Sequence, residues 1–139
     1  MLILIAHGSR NPRWRGSLEA LTRSVEEGVR AAEAGGEVGS GEVRPAGPGE
    51  AVRLAFMQFA GPTLPEVVGS GVAEGVTHFR LLPLFMASAG HVENDIEPLV
   101  EELREAHPEV GLELLTPVGE DDLFPALLLE IINRSPAGD

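Results

Sequence analysis

The chain has 139 residues, a length that suits one domain with a real core. Its formal net charge of −12 disfavours nucleic acid or an anionic membrane surface as a partner. There is no cysteine and all ten basic residues are arginine, which excludes disulfides, thiolate catalysis, iron–sulfur ligation, Schiff-base chemistry and a P-loop lysine.

The apolar run Leu2 to Ala6 has strand length and is too short for a signal peptide or a membrane span, so a cytoplasmic location is expected. From Ser17, the residues Leu18, Leu21, Val25 and Val29 fall at helical spacing. Residues 35–49, rich in Gly and Pro, read as a surface-loop insertion within a single domain of residues 1–139. A second strand is expected over Ala51 to Phe59, followed by a helix capped at Thr63 and ending near Gly75.

Thr77 to Phe85 gives a third strand. Asp95 then stands as the cap of a helix with the apolar stripe Ile96, Leu99, Val100 and Leu103, stopping before Pro108. Val110 to Pro117 gives a fourth strand, in which Glu113 argues for an edge position. Gly119 to Asp122 opens a last helix, with Leu127, Leu128, Ile131 and Ile132 expected to face inward. Four β–α units imply an α/β fold: a four-stranded parallel sheet with helices on both faces, flavodoxin-like in its strand order 2-1-3-4.

Two histidines then acquire meaning. His7 follows the first strand and His91 follows the third, and in that order these strands are neighbours where the winding reverses, the crevice in which open α/β sheets bind ligands. A histidine beyond a strand is ordinarily a polar loop residue. Two imidazoles converging at this point suggest a site for a transition-metal ion. By contrast His78, which opens the third strand, and His107, which ends a helix, read as structural. Asp95 is a helix cap or a hydrogen-bond partner of His91. Gly8 and Ser9 provide a turn or offer N–H groups to an anion. Glu120, Asp121 and Asp122 read as a solvated helix start. Arg10, Arg13 and Arg15 lie in a stretch without acidic residues, and guanidinium suits a ligand rich in carboxylates. Trp14 and Met86 offer apolar contact, as does Phe85 unless it is core.

Four motifs carry a family resemblance: His7-Gly8-Ser9-Arg10; Ala55 to Phe59 with Pro62-Thr63; Pro83-Leu84-Phe85 running into Gly90-His91 and Asp95-Ile96; and Pro117 to Asp121. Together they resemble the short-form sirohydrochlorin cobaltochelatases, the CbiX type. The resemblance implies a single chelatase domain that pairs as a homodimer around a tetrapyrrole. It also implies insertion of Co²⁺, in some members Fe²⁺ or Ni²⁺, into sirohydrochlorin, with no tightly bound cofactor and the metal ion as substrate. His7 and His91 become the metal-handling and catalytic pair, and Ser9, Arg10, Arg13 and Ser88 become contacts to the tetrapyrrole.

One position departs from the pattern. The family commonly has a glutamate where this chain has Gln58, which keeps a coordinating oxygen but no charge. The third ligand is thus open among Gln58, Glu66, Glu93 and a carboxylate of the substrate. A histidine phosphotransfer enzyme is disfavoured by Ala6, since such sites put an arginine before the histidine. The other competing reading is a non-catalytic metal-binding module.

Overall fold

A computed structural model describes residues 1–33, 50–87 and 95–134. Strand β1 (Leu2–Ala6) is buried at every position, as befits the centre of a parallel sheet with both faces covered. It pairs in parallel with β2 (Val52–Phe56) on one side and β3 (His78–Pro83) on the other, and β3 pairs in parallel with β4 (Gly111–Leu114). The order is therefore β2-β1-β3-β4, the flavodoxin-like order expected for four right-handed β–α units.

Alternate residues of β1 feed two apolar layers, as the two-residue period of a strand requires. Ile3 and Ile5 join Ala55, Phe79, Leu81 and Phe85 beneath α2 (Leu64–Ala73) and α3 (Ile96–Ala106), which contribute Leu64, Val67, Val68, Ile96, Val100 and Leu103. Leu2 and Leu4 join Val52 on the opposite face, against Val25 and Val29 of α1 (Pro12–Glu33). Gly71 permits the close seating of α2, because a Cβ there would lie 2.7 Å from the Phe79 ring. Thr63 caps α2, its side chain accepting the Glu66 amide at 3.4 Å. Asp95 holds the N-cap position of α3 but makes no side-chain capping bond.

Several boundaries and one face differ from the sequence expectation; β3, expected to reach Phe85, stops at Pro83. Helix α1 starts at Pro12, not near Ser17, because Asn11 Oδ1 accepts the Arg13 amide at 3.0 Å and Pro12 suits a first turn. Strand β2 stops at Phe56, since Met57 to Thr63 turn back so that the Phe56 amide bonds to the Pro62 carbonyl at 2.9 Å. Strand β4 ends at Leu114, where its pairing with β3 runs out. A single 3-10 turn, Val118–Glu120, occupies the expected start of the last helix, and α4 follows as Leu123–Asn133.

The expected inward face of α4 is not observed. No residue of this helix is buried, and Leu127, Leu128, Ile131 and Ile132 are all exposed, Ile132 at 73%. The reason is geometric. Apolar residues run right round α4, and its main packing partner is the 3-10 turn, so the sheet takes up little of that surface. The expected loop insertion at 35–49 lies outside the described residues.

Candidate metal and ligand site

The winding reverses between β1 and β3, with α1 on one face and α2 on the other. His7 is the first residue beyond β1 at that point. Hydrogen bonds fix the chain on both flanks: Met57 N–H donates to the Ala6 carbonyl and Gln58 N–H to the His7 carbonyl, each at 2.9 Å, while Leu84 N–H donates to the Ile5 carbonyl at 2.8 Å. The His7 ring lies on Phe85, with centroids 4.4 Å apart at 40°, and Phe85 is itself 1% exposed. A half-buried imidazole is thus seated on a buried aromatic ring, close to where the chain leaves β3.

The turn after β2 is pressed against the one after β1. Gly8 has φ +111°, and a Cβ there would fall 1.6 Å from the Gln58 carbonyl oxygen, so only glycine allows this approach. Gln58 is exposed, and its backbone is tied to that of His7. Phe59, at φ 64° and 58% exposed, carries the Arg10 guanidinium over its ring at 5.0 Å. A left-handed non-glycine residue costs on the order of 1 kcal/mol and is found where a turn is held from outside, as here.

The other expected contacts are sorted by the structure. The Ser9 hydroxyl accepts the Asn11 amide at 3.1 Å and so helps start α1. Arg13 is exposed in the first turn of α1, near the entry from His7. Arg15 is turned away, its Nε donating to Glu19 at 2.8 Å and its guanidinium resting 5.3 Å from the Phe56 ring centroid. Trp14 packs on the same ring at 5.9 Å. Phe85 is core, whereas Met86, the next residue, is 64% exposed. Glu66 is exposed at the start of α2.

Ser88, His91 and Glu93 lie outside the described residues, so the expected meeting of His7 with His91 does too. Among the described residues no three His, Asp or Glu side chains gather into a metal-binding group. Asp121 Oδ1 accepts the Leu123 amide at 2.8 Å, which makes that acidic run a helix entry. His78 is exposed at the opposite edge of the sheet and His107 ends α3, as expected.

Sequence reasoning missed three features. The Arg10–Phe59 stack depends on a left-handed turn that no local pattern announces. Gly119 abuts the Met86 backbone, where a Cβ would lie 2.1 Å from the Met86 carbonyl oxygen; the glycine inside a conspicuous motif was the available signal. At the far edge, Glu50 is 4% exposed between Arg80, at 2.9 Å, and the Met1 amine, at 3.8 Å. Burial lowers the pKa of that amine from its ordinary 8.0, Glu50 opposes the shift, and Arg80 adds to it.

The CbiX family model matches residues 1–135. This chain belongs to the CbiX family. It is 24% identical over 140 aligned positions to the sirohydrochlorin cobaltochelatase of Saccharolobus solfataricus, covering 96% of this chain and 94% of that one. It is 27% identical over 82 residues to the sirohydrochlorin ferrochelatase of Priestia megaterium, a match spanning 59% of this chain and only 31% of that one. Among solved structures, a CbiX protein of Marinobacter aquaeolei VT8 superposes with a TM-score of 0.71 at 27% identity, over 95% of this chain and 90% of that chain. The sirohydrochlorin chelatase SirB of Bacillus subtilis subspecies spizizenii, in complex with cobalt, shares the fold at a TM-score of 0.62 and 18% identity, over 95% of this chain and 49% of its own. No helix of the CbiX chain, among the described residues, is long and apolar enough to cross a membrane.

Proposed function

We propose that the CbiX chain is a metal chelatase that inserts a divalent ion, Co²⁺ first among the candidates, into sirohydrochlorin or a related tetrapyrrole. It would act as one domain over residues 1–139, as a homodimer in the cytoplasm, without a resident cofactor. The observation that carries this reading is the placement of His7 at the switch point of the sheet, seated on Phe85 and tied to Gln58. Relatives named for both cobalt and iron support the broader activity and leave Fe²⁺ and Ni²⁺ as alternatives.

The chemistry follows from the side chains. A metal ion entering the macrocycle displaces two pyrrole protons, which leave for a base or for water. Neutral imidazole suits both tasks, as a ligand for borderline ions and as a proton acceptor near neutral pH. We assign His7 and His91 to these roles, with Gln58 as an uncharged third oxygen donor. A set with few protein ligands and open positions releases its ion, whereas a closed four-ligand cage would retain it. Arg10 and Arg13 meet the carboxylates of the macrocycle, and Ser9 and Ser88 complete the polar contacts. Phe59 and Met86, both exposed, offer apolar surface to the ring.

The absence of a carboxylate at position 58 favours one second reading: a metal-binding module that holds the ion without inserting it. Anaerobic mixing of protein, sirohydrochlorin and Co²⁺, followed through the macrocycle spectrum, separates the two. Acceleration over metal alone is expected, with a loss of about 100-fold in His7→Ala and in His91→Ala. A rate equal to that of free metal would leave the module, and full activity in both variants would remove the histidines from the site. Relative rates with Co²⁺, Fe²⁺ and Ni²⁺ are expected to change in Gln58→Glu; unchanged ratios would mean that residue 58 is not a ligand.

A further inference from the structure

Phe59 adopts a conformation unusual for its residue type. Its φ of 64° is left-handed, where a bulky side chain is a genuine outlier, and the residue is more than half exposed, so little burial offsets the strain. Over its ring lies the Arg10 guanidinium, 5.0 Å from the centroid. Arg15, Arg30, Arg80 and Arg104 each pair with a glutamate, whereas Arg10 meets no carboxylate among the described residues and rests on the aromatic ring instead. Both members of this stack are tied to His7 through the backbone. Phe59 follows Gln58, whose amide donates to the His7 carbonyl at 2.9 Å. Arg10 follows Gly8, packed on the Gln58 backbone, and Ser9, whose hydroxyl accepts the Asn11 amide at 3.1 Å. The turns that carry the stack are therefore held against the one that carries the imidazole.

We propose that Phe59 is a positioning residue: its ring holds the Arg10 guanidinium at a fixed offset from His7, where the guanidinium anchors a carboxylate at the rim of the macrocycle and so sets the register of the ring over the imidazole. A free arginine side chain samples many rotamers, and ordering it weakens binding when a ligand arrives. Stacking on Phe59 orders it beforehand. The stack engages the flat face of a guanidinium and leaves the N–H groups along its edge to form paired hydrogen bonds with a carboxylate. A direct contact with the macrocycle asks only for an apolar side chain at position 59, but a stack asks for a flat ring. The same anchor selects a substrate class: macrocycles whose carboxylates are free, in preference to those in which they are esterified.

This role rests on the proposed tetrapyrrole substrate, but binding is measured without metal, so its failure and the failure of chelation are separate results. Trp14, the only tryptophan of the chain, is the reporter, its fluorescence followed as metal-free sirohydrochlorin is added. Phe59→Leu is expected to weaken binding roughly tenfold, and Phe59→Tyr, which keeps a flat ring, to stay within about twofold of the native chain. In an Arg10→Ala background, itself weakened at least as much, Phe59→Leu should add nothing, because the ring acts through the guanidinium. With the carboxylates of the macrocycle esterified, the native and Phe59→Leu chains should bind alike. In anaerobic insertion of Co²⁺, Phe59→Leu should raise KM roughly tenfold and leave kcat within about twofold. A native chain that binds the macrocycle without inserting metal keeps the positioning role and removes the chelatase. Full affinity in Phe59→Leu or in Arg10→Ala overturns the role, as does a lack of rescue by tyrosine or a fall in kcat at unchanged KM. Equal losses at position 59 with and without Arg10 also overturn it, and make Phe59 a direct contact to the macrocycle.

Discussion

The two faces of the sheet are finished to different degrees. On one, α2 and α3 bury Leu64, Val68, Val100 and Phe79 almost completely. On the other, α1 covers Leu2, Leu4 and Val52, while Leu82 and Leu84 are half-buried and α4 stands exposed over a cleft. A face that is complete within the protomer serves stability. One left open keeps apolar surface in water, and the difference between them is measurable.

The largest expected effect lies on the complete face. Phe79→Ala should cost about 3–5 kcal/mol in urea unfolding, through lost transfer energy and a cavity under α2. Leu128→Ala, at a half-exposed position, should change stability by less than about 0.5 kcal/mol. Equal losses would erase the contrast. Next, His7→Ala should lower chelation about 100-fold while shifting unfolding free energy by roughly 1 kcal/mol or less, since the ring contacts Phe85 from the solvent side. A large stability loss would make His7 a core residue of the sheet edge.

Glu50→Gln should cost roughly 2 kcal/mol, because it leaves Arg80 and the Met1 amine without their buried counter-charge. This predicted loss is smaller than for a fully buried pair, since Arg80 is one-third exposed. The smallest effect is a pH dependence. Burial of the Met1 amine lowers its pKa below 8.0, so the unfolded chain binds more protons between the folded value and 8.0. Stability should therefore rise with pH through that window and level off above it. Glu50→Gln removes the interaction that opposes the shift and should make the rise larger. Denaturation curves from pH 6 to 9 check both expectations, and a flat profile in both proteins would refute them.

The strands and the faces of α1, α2 and α3 were legible in the sequence because a parallel sheet buried on both sides writes continuous apolar runs and amphipathic helices write a 3.6-residue period; the strand order came from the flavodoxin-like winding such units adopt. The place of His7 was legible for the same reason: once β1 and β3 are neighbours, a residue just past β1 has one available location. The inward face assigned to Leu127, Leu128, Ile131 and Ile132 failed, because period shows that a helix has apolar residues and not whether its own chain covers them. The N-terminal extension of α1 rests on Asn11-Pro12, a local start signal that the apolar period beginning at Leu18 does not contain.

By itself, then, the sequence determined the alternation of β and α units, the excluded chemistries and the imidazole at the switch point, since each follows from residue type and local period. Only the tertiary structure decided that Gly8 must be glycine, that Phe59 carries Arg10, that a buried Glu50 side chain faces the partly buried Met1 amine, and that α4 is left uncovered among the described residues. Each of these depends on which atoms from distant parts of the chain occupy the same space, and local residue patterns do not encode that.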